Sequence, residues 1–255
     1  MHNPRRIQVA TIRILGKEYT TGLVIFDKDG TLIDFRQTWL EIIANLLKTF
    51  GEYVSMTERL RLRVQEALGI SVDNGTIDGS GPLAMGTFTE CDALLAYCLY
   101  QEGLSWDKAQ DIVRKVGDEV FRSDARNRSI RPVKGAIPLL SRLKDKGIHT
   151  AIATNDKAAD AGSDMIAIGA AYYIDIVVGA DSVENSKPAP DMVKKICEHF
   201  QVEPSSAVLI GDTVMDAMLG KNSGVMLTIG LPGIVPKEVL QEHMDVVVDS
   251  LDDIQ

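Results

Sequence analysis

From Pro132 onward, short aliphatic runs alternate with stretches whose apolar residues recur at helical spacing, and this alternation restricts the fold more than any other feature of the chain. Residues 149–154, 174–178, 207–210, 225–229 and 246–248 read as strands rich in β-branched side chains. Residues 137–146, 156–168, 188–200 and 216–222 read as the intervening helices, the first closed by Gly147 as a C-cap. Strands separated by helices pair in parallel through right-handed crossovers, and helices then cover both faces of the sheet. The pattern predicts an α/β fold built on a doubly wound, mainly parallel sheet.

Upstream the character changes. Residues 11–14 and 23–26 read as strands with a turn at Gly16-Lys17 between them, which suggests a hairpin leading into the central strand. Residues 39–50 then carry Trp39, Ile42, Ile43, Leu46, Leu47 and Phe50 on one helical face, stopping at Gly51. Further helical patterns cover 56–68, 91–101 and 106–121, and a glycine-rich segment at 75–86 interrupts them. No buried strand is legible between Asp34 and Arg131. The expected division is an α/β core from 1–34 and 132–255, split in sequence by a helical insertion at 35–131.

Composition narrows the partners. A net charge of −9 argues against a general affinity for nucleic acid or an anionic membrane, although a basic residue or a metal in a cleft can still draw an anionic substrate. No apolar run approaches the roughly 20 residues of a membrane helix. The basic start, Met1 to Arg6, has no apolar stretch behind it, so no secretory signal is legible and a cytoplasmic protein is expected. Cys91, Cys98 and Cys197 lack metal-ligand spacing; the first two share a helical face, where packing explains them. His2, His149, His199 and His243 are scattered, which gives no zinc site. Oligomeric state is not legible.

Four polar clusters fall at predicted strand ends, where open α/β sheets bind their ligands. Asp27 and Asp29 follow the apolar run Val24-Ile25-Phe26, and Gly30-Thr31 bends the chain at once. They read either as an ordinary Asp-Gly turn or as a nucleophile or metal ligand (Asp27) beside a proton-transfer group (Asp29). Thr154-Asn155-Asp156 reads as a helix cap or, by the same physics, as a phosphate site. Lys187 stands before Pro188 in a stiff loop, as a surface lysine or as a counter-charge to a carboxylate cluster. Asp212 ends a strand and Asp216 follows four residues later, as helix caps or as acids converging with Asp27 and Asp29. Two like charges roughly 4 Å apart repel by about 4 kcal/mol at an effective dielectric near 20, so convergence requires a cation, a lysine or altered protonation. Oxygen-only ligands with room for water favour Mg²⁺.

These four segments in this order resemble the haloacid dehalogenase-like (HAD) hydrolase superfamily, and its phosphatase branch in particular. Asp27-Lys28-Asp29-Gly30-Thr31 matches the first motif, Thr154 the second, Lys187 the third, and Gly211-Asp212 with Asp216 the fourth. The resemblance covers about Leu23 to Val248, and 35–131 falls where the family's first type of cap is inserted. It implies a Rossmann-like core and a Mg²⁺-dependent phosphatase acting on a small phosphorylated metabolite. Asp27 would attack phosphorus to form an aspartyl-phosphate. Asp29 would protonate the leaving oxygen and then activate water. Mg²⁺ would be held by Asp27, the Asp29 backbone carbonyl and Asp212, with Asp216 in support. Thr154 and Asn155 would grip the phosphoryl group and Lys187 would balance charge.

Asp29 weighs against dehalogenase and phosphonoacetaldehyde hydrolase members, which lack an acid there. Asp34-Phe35 departs from the Asp-Ser that typically follows in phosphoglycolate-phosphatase-like chains. The alternatives are a phosphomutase of the same superfamily and a phospho-receiver signalling module. The resemblance implies that the cap closes over the site and selects the leaving group. Arg36, Trp39, the loop from Asp78 to Thr87, and Arg126, Arg128 and Arg131 have their places there, each with a purely packing or solvating alternative.

Overall fold

The computed structural model describes residues 8–121 and 130–255, where the chain forms two compact units. One comprises the chain up to Ile33 together with Pro132 onward; the other is Asp34–Arg131. Met1 to Arg6, Arg126 and Arg128, singled out above, lie outside the described residues.

The first unit opens on an antiparallel pair, β1 (Ala10–Ile14) and β2 (Lys17–Thr21), joined through Leu15 and Gly16, both at positive φ. The hairpin therefore closes on Lys17–Thr21 and not on the run 23–26. A two-residue turn of this kind returns the chain at once, so the partner begins at Lys17. Its polar Lys17, Glu18 and Thr20 disguise it as a loop. β3 (Leu23–Phe26) belongs to a different sheet, and all four of its side chains are buried.

The second unit begins with α1 (Phe35–Tyr53), whose N-cap Asp34 accepts a hydrogen bond from Gln37 N at 3.0 Å. All six apolar residues of the predicted face are buried, joined by Phe35 and Thr38. The helix runs through Gly51 to Tyr53; a single helical glycine costs about 1 kcal/mol, too little to end a well-packed helix. α2 (Glu58–Leu68) stops at Gly69, in the left-handed conformation of a helix terminator. The glycine-rich segment holds a minimal hairpin of β4 (Ile70–Ser71) and β5 (Thr76–Ile77), then the single turn α3 (Pro82–Met85). α4 (Phe88–Gln101) starts on a capping box between Thr87 and Glu90, and α5 (Trp106–Phe121) follows. Trp39 packs within this unit, its ring 5.8 Å from Phe35 and 5.9 Å from Phe88. Cys98 is buried in α4, and Cys91 places its sulfur 3.5 Å from the Pro82 carbonyl.

Past Pro132 the first unit resumes with α6 (Ala136–Asp145), β6 (His149–Ala153), α7 (Ala158–Ala167), β7 (Ile176–Val178) and α8 (Asp191–Phe200). β8 (Ala207–Gly211), α9 (Val214–Ser223), β9 (Leu227–Gly230), α10 (Lys237–His243) and β10 (Val246–Val247) complete it. The sheet has the order β10-β9-β8-β3-β6-β7 with every pairing parallel. β3 is central, with Phe26 level with Ile210 on one side and Ile152 on the other. Leu23, Ile25, Ala151, Ala153 and Leu209 pack against Met192, Val193 and Ile196 of α8 in one cluster. This register brings the C-terminal ends of β3, β6 and β8 to one edge. No helix among the described residues is long and apolar enough to cross a membrane.

Several boundaries differ from the sequence reading. α7 starts at Ala158 and α8 at Asp191, two and three residues later than predicted, while α9 starts two residues earlier, at Val214. The polar residues between strand and helix are engaged elsewhere, as the site shows.

Candidate active site

Backbone contacts fix the end of β3 against β8: Asp27 N donates to the Ile210 carbonyl at 2.8 Å. The chain then turns sharply. Gly30 N donates to the Ile33 carbonyl at 2.7 Å, and Leu32 N and Ile33 N both donate to the Lys28 carbonyl. Gly30 sits at φ +84°, and a Cβ there would fall 1.9 Å from Asp212 Oδ2. Only glycine lets the turn pass this close to the acid that ends β8.

Asp27, Asp212 and Asp216 come together, with carboxylate oxygens within 4.8 Å of one another. Lys187 Nζ binds this group, 2.5 Å from Asp27 Oδ1 and 2.6 Å from Asp216 Oδ1. The loop before α8 delivers Lys187, and the peptide to Pro188 is cis. Asp216 lies in the first turn of α9 and completes a capping box: its Oδ2 accepts from Thr213 Oγ1 at 2.7 Å and from Thr213 N at 3.1 Å. Its Oδ1 is thereby turned to Lys187. Gly211 makes room for it, since a Cβ there would lie 2.4 Å from the Asp216 side chain.

A second charged cluster lies at the same edge. Lys28, between the two acids of the first motif, is almost completely buried. Its Nζ lies 2.7 Å from Asp29 Oδ2, 2.9 Å from Asp156 Oδ2 and 2.9 Å from Asp164 Oδ2. The sequence reading missed Lys28 and Asp164 and took Asp156 for a cap or phosphate-loop residue. A lysine flanked by acids looks solvated in a linear sequence. The one available signal was Asp164, an acid eight residues past Asp156 on the inner face of a predicted helix. The cap of α7 comes from elsewhere: Ala158 N donates to Asp181 Oδ1 at 2.9 Å.

Thr154 is buried at the end of β6. Its N–H donates to the Val178 carbonyl and its Oγ1 accepts from Asp156 N at 3.2 Å. Thr154 and Asn155 thus share the sheet edge with both clusters, one hydrogen bond from the second. Of the predicted residues, Asp27, Lys187, Asp212 and Asp216 meet directly, whereas the carboxylate of Asp29 faces Lys28. His149 is engaged apart from this edge, with Nδ1 3.1 Å from Asp175 Oδ2 and its ring on Phe200.

Burial dominates the electrostatics. It raises Asp27 to about 6, against the pull of Lys187, and Asp216 adds to the rise. It raises Asp29 to about 7, against the pull of Lys28, and Asp156 adds there. Asp212 stands well above the usual carboxylate range through burial, then through Asp27 and Asp216. Burial opposes the charge on both lysines, but their carboxylate partners outweigh it and hold each ammonium above the ordinary lysine range.

Asp212 Oδ2 is buried without a hydrogen-bond partner among the described residues. An orphaned carboxylate oxygen beside two further carboxylates is a deficit of positive charge, and one ammonium does not fill it. The donor set is all oxygen, which suits a hard divalent cation of the Mg²⁺ type.

A parallel doubly wound sheet whose central strand presents an acid beside a lysine and two further acids defines a hydrolase of the HAD type. The sequence matches the haloacid dehalogenase-like hydrolase family over residues 21–224, and the chain belongs to that family. Among its relatives, the pyrophosphatase PpaX of Bacillus velezensis is 24% identical over 201 residues, 79% of each chain. The phosphoglycolate phosphatase of Aquifex aeolicus is 27% identical over 216 residues, 84% of this chain and 86% of that one. A HAD-superfamily hydrolase of subfamily IA from Geobacter sulfurreducens shares the fold with a TM-score of 0.62 at 18% identity, covering 91% of this chain and 93% of that one.

Proposed function

We propose that this chain is a Mg²⁺-dependent phosphatase that hydrolyses a small phosphorylated metabolite through an aspartyl-phosphate on Asp27. The observation that carries the reading is Asp27 itself: its carboxylate is held by Lys187 at 2.5 Å, within 4.8 Å of Asp212 and Asp216 oxygens. The phosphatase class rests on family membership and on relatives named as phosphatases over most of their length.

A carboxylate oxygen of Asp27 forms the new bond to phosphorus as the ester P–O bond breaks, and Asp29 gives its proton to the departing oxygen. Asp29, now ionised, takes a proton from water. The water oxygen bonds to phosphorus, the Asp27–phosphorus bond breaks, and inorganic phosphate leaves. The Thr154 hydroxyl and the Asn155 N–H bind phosphoryl oxygens, and Lys187 offsets the charge that gathers on Asp27 and the phosphoryl group. Asp27, Asp212 and the Asp29 carbonyl would hold Mg²⁺, with Asp216 in support, and the ion would supply charge neutralisation at the phosphoryl oxygens. The insertion at 35–131 serves in this reading as the cap that selects the leaving group, from its place in the sequence between the first two motifs.

The test is phosphate release from 4-nitrophenyl phosphate with Mg²⁺ present. The wild type turns over without any bisphosphate, and Asp27→Asn loses activity by several orders of magnitude while its far-UV dichroism is unchanged. Undiminished turnover in Asp27→Asn rejects Asp27 as the nucleophile. A strict bisphosphate requirement points instead to a phosphomutase, and a phospho-Asp27 stable for hours to a receiver.

A further inference from the structure

Lys28 stands outside the reaction just described, yet it is the most completely buried charged side chain at the sheet edge after the acids Asp212, Asp216 and Asp164. Its three ion pairs, all at 2.9 Å or less, go to Asp29, Asp156 and Asp164, and none goes to the cluster around Lys187. Buried ion pairs of this kind add little stability over a well-packed apolar side chain, whereas removing one partner leaves the others stranded. What the set supplies is direction. Asp164 sits within α7 and Asp156 in the loop before it, so two of the three partners of the ammonium belong to the β6–α7 segment of the core. The third carboxylate, Asp29, is the one group of the set on the catalytic turn, and an ion pair through Oδ2 fixes its rotamer while Oδ1 stays outside these ion pairs. A lone lysine–aspartate pair would commit the ammonium to Asp29. Sharing it among three carboxylates holds Asp29 in place with only part of that charge.

We infer that Lys28 is a positioning residue for Asp29: anchored by Asp156 and Asp164, it orients the acid–base carboxylate toward the leaving oxygen. This rests on the acid–base reading of Asp29 given above. Misplacing a reacting group by about 1 Å can cost about 100-fold in rate, and the loss should appear only where proton donation matters.

The experiment compares kcat/KM for phenyl phosphate, whose leaving oxygen needs a proton, with that for 2,4-dinitrophenyl phosphate, whose leaving phenolate does not. This constant reports the step up to departure of the leaving group, so the later water step does not blur it. Lys28→Met should lower kcat/KM for phenyl phosphate roughly ten- to a hundredfold and leave the dinitrophenyl ester within about threefold. The Mg²⁺ concentration for half-maximal activity should stay unchanged. Asp29→Asn is run beside it and should show the same selectivity in larger measure.

Equal losses on both esters in Lys28→Met, with Asp29→Asn selective, overturn the inference and leave the phosphatase reading standing. Equal losses in Asp29→Asn overturn the acid–base assignment and the inference with it. Should Lys28→Met fail to fold, Asp164→Asn keeps Lys28 and Asp29 but withdraws the anchor on α7. It should show the same selectivity at roughly three- to tenfold, and an unselective or absent effect overturns the inference equally.

Discussion

Gly30 shows how one residue joins the fold to the chemistry. Its φ of +84° costs an L-residue roughly 1–2 kcal/mol, and its Cα hydrogen faces Asp212 Oδ2 where a methyl carbon would come within 1.9 Å. Gly30→Ala should therefore act twice. It should lower the melting temperature by several degrees, at about 2–4 °C per kcal/mol for a chain of this size. It should also push Asp212 out of the acid cluster, so that the rise in melting temperature on adding Mg²⁺ shrinks or disappears. Melting curves with and without Mg²⁺ measure both effects, and a full Mg²⁺ response in the variant would show that Asp212 does not need this close approach. Asp27 and Asp212 were legible as acids at strand ends, Gly30 as the turn after the first, Lys187 beside a proline, and Asp216 one helical turn past Asp212. Lys28, Asp156 and Asp164 were not. Their significance is a three-way meeting between the first motif and α7, and nothing in any one segment requires it.

At the scale of elements, hydrophobic periodicity located the interiors and misjudged the ends. The inner face of α1 was legible residue by residue, because six apolar side chains at helical spacing have few alternatives. Its continuation through Gly51 was not, since the decision there is made by packing along the whole helix. β2 was missed because a strand in a two-stranded sheet has little to bury, and its pattern carries almost no apolar signal. α7 repeats the lesson at its start. Thr154, Asn155 and Asp156 are all good capping types, yet Thr154 bonds to the loop, Asp156 turns to Lys28, and the helix is capped from a distance by Asp181. Asp181→Ala should then cost about 1 kcal/mol, as other lost N-caps do, and lower the melting temperature by about 2–4 °C. Because Asp181 touches neither lysine cluster, kcat/KM for the dinitrophenyl ester should be unchanged. A melting temperature equal to the wild type would show that the free N–H of Ala158 finds another acceptor.

In the molecule as a whole, part of the acidic excess seen in composition, a net charge of −9, sits where it is hardest to sustain, in two clusters of buried and half-buried aspartates. Asp27 and Asp216 share Lys187 with Asp212 beside them, and Asp29, Asp156 and Asp164 share Lys28, so that each cluster sets three carboxylates against one buried lysine. Asp27 and Asp29 stand at about 6 and about 7 in the fold, above the 3.8 of an unperturbed aspartate. The sign follows from linkage: a carboxyl raised on folding binds its proton more tightly in the native state. Its contribution is complete below about pH 4 and is lost as pH climbs through 6 and 7. The metal-free protein should therefore lose the contribution of these groups across that window. A divalent cation bound to Asp27 and Asp212, as proposed, would reverse the balance, because it would have to displace the protons that burial favours, and its affinity would rise about tenfold per pH unit for each proton displaced. The increase in melting temperature produced by a fixed concentration of Mg²⁺ should be small at pH 5 and grow steadily to pH 7.5, since stabilisation follows RT ln(1 + [L]/Kd). Asp212→Asn should flatten that dependence if Asp212, whose Oδ2 has no hydrogen-bond partner among the described residues, is one of the cation's ligands. If the Mg²⁺ increment proved the same at pH 5 and pH 7.5, the carboxylates of Asp27 and Asp212 would not be the cation's ligands.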